Sequence, residues 1–243
     1  MNKKFHEEMF EQEFKFNSYL QKYLQKKGLE FVKLLNEGRS AWIIVVKPKK
    51  QIGGKSCSGQ TKEKQKIKSK QTKTNETGSH FAPTPLFTIK LEKKRSTRSE
   101  MVEKETKYMK LANKAKMGPK FVDSNIKGRF IVYEYFDAIP LINYLDKFDK
   151  TEFIDFLRIL FAQGKKLDEL GLDHGQLVGK GTNIMVLKNG KPIIVDFEKS
   201  SNNRKTHNVN VLISYFFSEK SKVAGKVKKI LGKDFEEIKK DFL

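Results

Sequence analysis

The segment from 184 to 195 constrains the fold most, because two short apolar runs lie on either side of an Asn-Gly pair. Ile184–Leu187 and Pro192–Val195 flank Lys188-Asn189-Gly190-Lys191. Asn-Gly readily adopts the positive φ angles of a tight hairpin turn, and apolar, β-branched runs of this length are typical of buried strands. The sequence therefore predicts a β-hairpin whose open end brings its two flanking residues to one edge of a sheet.

Two oxygen-bearing side chains stand at that open end. Asn183 directly precedes the first strand and Asp196 directly follows the second. Amide and carboxylate oxygens suit Mg²⁺, which takes few protein ligands, and a carboxylate after an apolar run is costly unless a cation meets it. We predict that Asn183 and Asp196 are metal ligands. The alternative is an Asp that only caps a turn.

The remaining pattern predicts an α+β protein, with strands first and helices second. Strands are predicted over Ala41–Val46, Pro85–Leu91 and Phe130–Tyr135. Helices are predicted from Lys3 to Leu35 with a break at Gly28, and then over Ser99–Ala115, Pro140–Phe148, Thr151–Leu170, Val209–Phe217 and Val223–Leu231. Thr97 and Glu100 form a capping-box pattern before the third of these helices.

The segment Lys47–Thr84 differs in composition from the rest of the chain. It holds ten lysines and two glutamates among Gly, Ser, Thr and Gln, with few apolar residues. Such a segment buries too little surface to offset its ordering entropy, and we expect a disordered insertion. The whole chain carries 50 Lys+Arg against 29 Asp+Glu, a formal charge of +21. That charge favours polyanionic partners; the alternative is a surface that only keeps the protein in solution.

One acidic residue lies on the apolar stripe of the helix predicted over Ser99–Ala115. Glu105 is three or four positions from apolar residues on both sides, whereas Glu103 lies off the stripe. A carboxylate that faces a core needs a cation. The alternative is a Glu at the edge of the stripe that reaches solvent.

Together these motifs resemble those of protein kinases. Asn183, followed across the hairpin by Asp196-Phe197, resembles the catalytic-loop Asn and the magnesium-binding Asp-Phe-Gly motif. Leu172-Asp173-His174-Gly175-Gln176-Leu177 resembles the start of the catalytic loop, and Phe87-Thr88-Ile89-Lys90 is similar to the strand that carries the phosphate-binding Lys. The resemblance covers roughly residues 37–217. With its Asp-Phe-Glu-Lys-Ser ending, the chain looks most like archaeal predicted serine/threonine kinases related to the Rio group.

The resemblance implies a two-lobed, protein-kinase-like fold with a minimal helical C-terminal lobe. Residues 1–36 would form an N-terminal helical segment, residues 37–135 the β-rich N-terminal lobe with its insertion at 47–84, and residues 136–243 the helical lobe. The implied cofactors are ATP and Mg²⁺. Lys90 would orient the phosphates, and Glu105 would hold Lys90.

The resemblance also implies where ATP would lie. Gly38 and Ser40 stand at the place of the Gly-rich phosphate loop, although an ordinary turn explains them equally well. Glu134 and Phe136, in the hinge Glu134-Tyr135-Phe136, would contact adenine through their backbone. The purine pocket would be lined by Ile43, Ile131 and Ile194.

The chain departs from the kinase pattern at the position of the catalytic base. Gln176 stands where the family has Asp, and an amide cannot accept a proton as a base. Asp173 or His174 would substitute, and Glu198 replaces the motif Gly. We predict an atypical ATP- and Mg²⁺-dependent serine/threonine protein kinase of reduced activity. The alternatives are a small-molecule kinase of the choline or aminoglycoside type and a nucleotide-binding pseudokinase that acts as a ribosome or RNA adaptor.

The expected cellular location follows from the absence of membrane-spanning and secretion signals in the sequence. The sequence shows neither an apolar stretch of membrane-spanning length nor a signal-peptide pattern, and Cys57 is its single cysteine. We expect a cytoplasmic protein without a membrane partner. An RNA or ribosomal particle, bound through the basic surface and Lys47–Thr84, is the expected macromolecular partner beside an unidentified protein substrate.

Overall fold

A five-stranded antiparallel sheet organises the first part of the chain. The computed structural model describes residues 3–50, 84–96 and 100–242. The strands follow the spatial order β1-β2-β3-β5-β4. They are β1 Leu29–Glu37, β2 Ala41–Pro48, β3 Phe87–Glu92, β4 Phe121–Asn125 and β5 Phe130–Glu134. The three predicted strands are β2, β3 and β5, and all three predictions are confirmed with small shifts of their ends.

A smaller sheet contains the predicted hairpin. Its strands, in the order β6-β7-β8, are β6 Ala138–Pro140, β7 Ile184–Leu187 and β8 Pro192–Ile194. Ile184 pairs with Ile194 in antiparallel register, and Gly190 adopts a φ of 76° in the turn. The turn chemistry of Asn-Gly therefore gives the hairpin that the sequence predicts.

Helices dominate the second half of the chain. The helices are α1 Lys3–Lys15, α2 Ser18–Lys27, α3 Met101–Lys114, α4 Leu141–Tyr144, α5 Lys150–Glu169, α6 Asn208–Phe217, α7 Ala224–Leu231 and α8 Phe235–Lys240. Asp149 and Glu152 form a capping box at the start of α5. The α+β class is confirmed. None of the helices in the described ranges is long and apolar enough to cross a membrane.

The prediction of helix from residue 29 to Leu35 is wrong. Gly28 takes a left-handed φ of 60° and ends α2, and the chain then enters β1, where Leu29 pairs with Pro48. β1 is an edge strand whose pairing is interrupted by register shifts. Its exposed apolar residues do not alternate as they would in a half-buried strand, so pairing with β2 overrides the local pattern. The strands β4 and β6 and the helix α8 were not predicted.

Two apolar clusters lie on opposite faces of the large sheet. α1 and α2 cover one face, where Leu20 and Leu24 pack with Trp42, Ile44 and Phe130. The other face belongs to a larger cluster that includes residues of α3 and continues into α5 and α6. α3 is thereby held against the face of the sheet that carries Lys90.

The basic insertion begins later than predicted, because Lys47 and Pro48 belong to β2 and pair with Glu30 and Leu29. Residues 51–83, which contain most of the insertion, lie outside the described residues, so its disorder stays a prediction.

The capping box predicted from Thr97 and Glu100 is wrong. Thr97 lies outside the described residues, but Glu100 directly precedes α3 with a left-handed φ of 58° and is therefore not in the first turn of the helix.

Candidate functional site

Lys90 on β3 is the centre of the site. Its neighbours across the sheet are Ile43 on β2 and Ile131 on β5, and only 9% of the residue is exposed. The Nζ atom lies 2.7 Å from Oε2 of Glu105 and 2.6 Å from Oδ1 of Asp196. A buried lysine is therefore bound by one carboxylate from α3 and by another from Asp196, the second residue after β8.

The predicted ion pair between Lys90 and Glu105 is present. Glu105 is 2% exposed, whereas Glu103 lies on the exposed face of α3. The position of Glu105 on the apolar stripe is what turns its side chain toward the sheet. The stripe therefore predicts the correct carboxylate.

The electrostatic environment of Lys90 keeps it charged. Burial alone would lower the pKa of Lys90, but the carboxylates of Glu105 and Asp196 outweigh burial and raise its pKa above the usual value. The site therefore presents a fixed positive charge inside a largely buried environment, and such a charge attracts phosphate oxygens.

Glu198 is a member of this cluster that the sequence analysis missed. Its side chain is 3% exposed, and its Oε2 lies 3.8 Å from Nζ of Lys90. Ligand atoms of Glu105, Asp196 and Glu198 all lie within 4.8 Å of one another. This set of carboxylate oxygens fits the ligand preference of a hard cation such as Mg²⁺. The sequence did contain a signal for this role, namely the acidic side chain of Glu198. The kinase resemblance presented Glu198 only as a replacement of the motif Gly.

Asn183 and Asp196 meet at the open end of the hairpin, as predicted. The N–H of Val195 donates to the carbonyl of Asn183 at 2.9 Å, so Asn183 is linked directly to the residue that precedes Asp196. The Nδ2 of Asn183 donates to the carbonyl of Gln176 at 2.7 Å. Because Nδ2 forms this bond, Oδ1 is the side-chain atom of Asn183 that is suited to bind a cation. Asp196 itself has a φ of 69°, a strained conformation of the kind that concentrates at functional sites.

A cleft of about 560 Å³ surrounds Lys90. Among the predicted nucleotide contacts, Gly38, Ser40, Ile43 and Phe136 line it. Gly38 and Ser40 belong to the turn between β1 and β2, where the N–H of Gly38 donates to the carbonyl of Ala41 at 2.8 Å. Residues of both sheets and of α3 thus face the same cavity.

Three predicted contacts do not line the cleft. The side chain of Glu134 is exposed and pairs with Lys120, and its N–H donates to the carbonyl of Lys120 at 2.9 Å. Ile131 and Ile194 are buried in the larger apolar cluster. Tyr133, Tyr135, Met185 and Val195 lie in the wall instead. Strand pairing and packing direct the side chains of Glu134, Ile131 and Ile194 to neighbours outside the cleft wall, and the backbone contact of Glu134 with adenine stays a prediction.

Asp173, a predicted substitute base, and Gln176, at the position of the catalytic Asp, line a second cavity of about 290 Å³. We call this the acceptor side of the site. Asp173 is 3% exposed, and its Oδ2 is 2.7 Å from Nη2 of Arg204. Gly175, with a φ of 72°, leaves the space that Arg204 occupies. Gln176 is exposed. Arg204 was missed by the sequence analysis because its contact depends on the fold of a loop far along the chain.

His174 is not suited to acid–base chemistry. It is completely buried, its Nε2 lies 3.1 Å from the carbonyl oxygen of Val195, and its ring centroid is 5.0 Å from that of Phe197. Burial lowers the pKa of His174 to about 4. The neutral ring holds the backbone just before Asp196, which makes His174 a positioning residue rather than a base.

A second network, also missed from the sequence, fixes the loop around His174. The side chain of Asn208 donates to the carbonyl of Leu172 at 2.9 Å and accepts from the N–H of His174 at 3.0 Å. Asp168 accepts bonds from the backbone N–H groups of Asn208 and Val209 at the start of α6. The first turn of α6 and the end of α5 therefore jointly hold the loop that leads to Asn183.

Comparison with known proteins gives one archaeal relative. The chain is similar to an uncharacterized protein of Methanocaldococcus jannaschii, with 28% identity over 106 residues. The match covers 44% of this chain and 89% of that protein. No family model matches the sequence.

Proposed function

We propose that this protein binds ATP with Mg²⁺ in the cleft around Lys90 and is an atypical serine/threonine protein kinase with a two-lobed, kinase-like fold. The observation that carries the proposal is the position of Lys90 between Glu105 of α3 and Asp196 after β8, at 2.7 and 2.6 Å. A strand lysine, a helix glutamate and an aspartate after a hairpin are the groups that such enzymes place around ATP phosphates.

The chain has suitable groups for each part of the cofactor. Lys90, which Glu105 holds in place, would bind phosphate oxygens. Asp196 and Oδ1 of Asn183 would hold Mg²⁺, with Glu198 adding negative charge nearby. The metal, when bound, neutralises charge on the phosphates. The burial of Lys90 excludes water from one side of these contacts and strengthens them.

The walls of the cleft suit a purine. Ile43 and Met185 approach from the two sheets, and Tyr133 and Phe136 stack with a centroid separation of 6.2 Å near the end of β5. Apolar and aromatic walls with a few polar groups are typical of cofactor pockets. Gly38 and Ser40 lie in the adjoining turn and would cover the phosphates.

The groups on the acceptor side favour slow phosphoryl transfer. Gln176 cannot accept a proton, and Asp173 is buried in its ion pair with Arg204. Positioning and charge stabilisation dominate phosphoryl transfer, so the loss of a base slows the reaction without forbidding it. The same observation supports a pseudokinase as a second candidate, in which nucleotide is bound but not used.

A third candidate, a small-molecule kinase, is favoured by the short connection after the metal motif. The 3₁₀ turn Phe197–Lys199 is followed by α6 at Asn208, which leaves little chain for an activation loop. Enzymes of the choline and aminoglycoside type also lack this loop and often have the Asp-Phe-Glu motif found at residues 196–198.

The proposed macromolecular partner is an RNA or ribosomal particle, bound in part through Lys47–Thr84. Lys47 and Pro48 are the last residues of β2, and Lys49 and Lys50 follow that strand directly. A dense set of lysines gives phosphate contacts that do not depend on sequence and weaken as salt rises.

Labelled ATP tests the activity. The purified protein would be incubated with ATP and Mg²⁺ alone, with a general protein acceptor and with a panel of small alcohols, beside the variants Asp196→Asn and Asp155→Asn. Asp155 is an exposed residue of α5 and serves as the control. Label on protein that is lost in Asp196→Asn supports the protein kinase, and label on an alcohol supports the small-molecule kinase. ATP binding without transfer supports the pseudokinase, and the absence of both would refute the proposal.

A further inference from the structure

The outward face of the N-terminal helix pair carries exposed aromatic side chains. Phe16, between α1 and α2, is 76% exposed, and Tyr19 in the first turn of α2 is 46% exposed. The opposite face of α2 packs against the sheet, where Leu20 and Leu24 are buried. Packing of the helix therefore does not account for these two rings.

The turn between β4 and β5 extends this face. The Nδ2 of Asn17 donates to the carbonyl of Gly128 at 2.8 Å, and Gly128 lies so close to Tyr19 that a Cβ would not fit. The same turn exposes Ile126 by 58% and also exposes Lys127. Aromatic, apolar and basic groups from two separate parts of the chain thus share one surface.

Lysines continue the surface along α2. Lys22 and Lys26 are three and seven positions after Tyr19, which places all three side chains on one side of the helix. Neither lysine forms an ion pair within the described ranges of the chain. Burial, together with the nearby Asp123, raises the pKa of Tyr23 to about 12, and Asp123 lies 3.9 Å from Nζ of Lys27. The face therefore keeps a positive charge.

We propose that this face, which we call the α2 platform, binds single-stranded nucleic acid. The platform consists of Phe16, Tyr19, Lys22, Lys26, Ile126 and Lys127. Bases would stack on the two aromatic rings while the lysines contact phosphates, which is the combination that proteins use on single strands. The excess of positive charge, both here and over the whole chain at +21, favours a nucleic acid over an apolar protein partner.

The platform also adjoins the start of the basic insertion. The N–H of Lys49 donates to the carbonyl of Gly28 at 2.8 Å, so the chain leaves toward residue 51 from the C-terminal end of α2. The platform gives the proposed polyanion binding a site within the described residues. It is independent of ATP binding around Lys90.

Fluorescence anisotropy with a labelled single-stranded oligouridylate tests the platform. The variants are Phe16→Ala/Tyr19→Ala and Lys22→Gln/Lys26→Gln, each made in the full chain and in a chain with residues 51–83 replaced by a Gly-Ser linker. The control Lys228→Gln/Lys229→Gln removes the same charge from exposed positions on α7.

The proposal predicts that the aromatic pair weakens binding by about 10-fold or more. The Lys22/Lys26 pair should reduce the salt slope by about 1.4, at ~0.7 per phosphate contact on a single strand. The α7 control should change both quantities little. Unchanged affinity of the aromatic variant, or an equal loss in the α7 control, would overturn the proposal. Because every variant should keep its thermal stabilisation by ATP, failure here is distinguishable from failure of the ATP site.

Discussion

The ammonium group of Lys90 lies 2.6 Å from the carboxylate of Asp196, although 106 positions separate the two residues in the chain. Lys90 belongs to the five-stranded sheet, and Asp196 is the second residue after the last strand of the small sheet. With Glu105 and Glu198 close by, Lys90 is the cation that balances this buried cluster. The ammonium group of Lys90 therefore links the two halves of the chain. It is also the group that we propose binds phosphate.

Replacement of Lys90 by Met should destabilise the protein. The change leaves buried carboxylates without their cation, and breaking a buried pair in this way costs about 3–5 kcal/mol. The loss of stability should become smaller as pH falls, because protonation of the buried carboxylates removes the uncompensated negative charge. Urea unfolding at neutral and acidic pH measures both effects.

The control for this prediction is Lys104→Met. Lys104 forms an exposed i,i+4 pair with Glu100, and such pairs contribute less than about 1 kcal/mol. Equal stabilities of the Lys90→Met and Lys104→Met variants would show that the buried cluster does not depend on Lys90.

His174 should make folding stability depend on pH. Its pKa of about 4 in the folded protein is lower than the usual value of about 6.5, so the unfolded chain binds the proton more tightly. The stabilising contribution is therefore complete above pH ~6.5 and is lost as pH falls toward 4, by about 3 kcal/mol in total. NMR titration of the histidine ring protons measures the pKa, with His174→Gln to assign the signal and the exposed His207→Gln as control. A His174 signal that titrates near 6.5 would contradict the buried, neutral ring.

Replacement of residues 51–83 by a short Gly-Ser linker should leave the sheet intact. Val46 on β2 pairs with Phe87 on β3, so the two ends of the insertion start from neighbouring strands. A shorter connection between neighbouring strands changes the closure entropy only slightly. We expect a free energy of unfolding within about 1 kcal/mol of the full chain and unchanged ATP binding. Insoluble protein, or a lost ATP response, would show that the segment contributes to the core.

The sequence predicts those parts of the site that depend on local pattern. The Asn-Gly turn identifies the hairpin and places Asn183 beside the position of Asp196. The apolar stripe of α3 distinguishes Glu105 from Glu103. Both inferences use periods and turn chemistry that operate over a few residues.

Features that depend on distant pairing could not be predicted in this way. β1 continues from α2 without a change of composition, and only its pairing with β2 reveals a strand. Glu198 becomes part of the Lys90 cluster because the turn after Asp196 directs it inward. Arg204 meets Asp173 through the fold of its loop. Glu134 is the converse case, since the kinase resemblance places it in the hinge beside the cleft, whereas its side chain is exposed and pairs with Lys120.

The most direct test of the account is the Mg²⁺-dependent thermal stabilisation of the protein by ATP. Ligand at about 100 times its dissociation constant adds ~2.7 kcal/mol, which corresponds to a rise of roughly 5–10 °C in the melting temperature for a chain of this size. The account predicts this rise for the natural protein and for the exposed control Asp155→Ala, and its loss in Asp196→Ala. The same Mg²⁺-dependent rise in Asp196→Ala would contradict the assignment of Asp196 as a metal ligand, and with it the proposed nucleotide site.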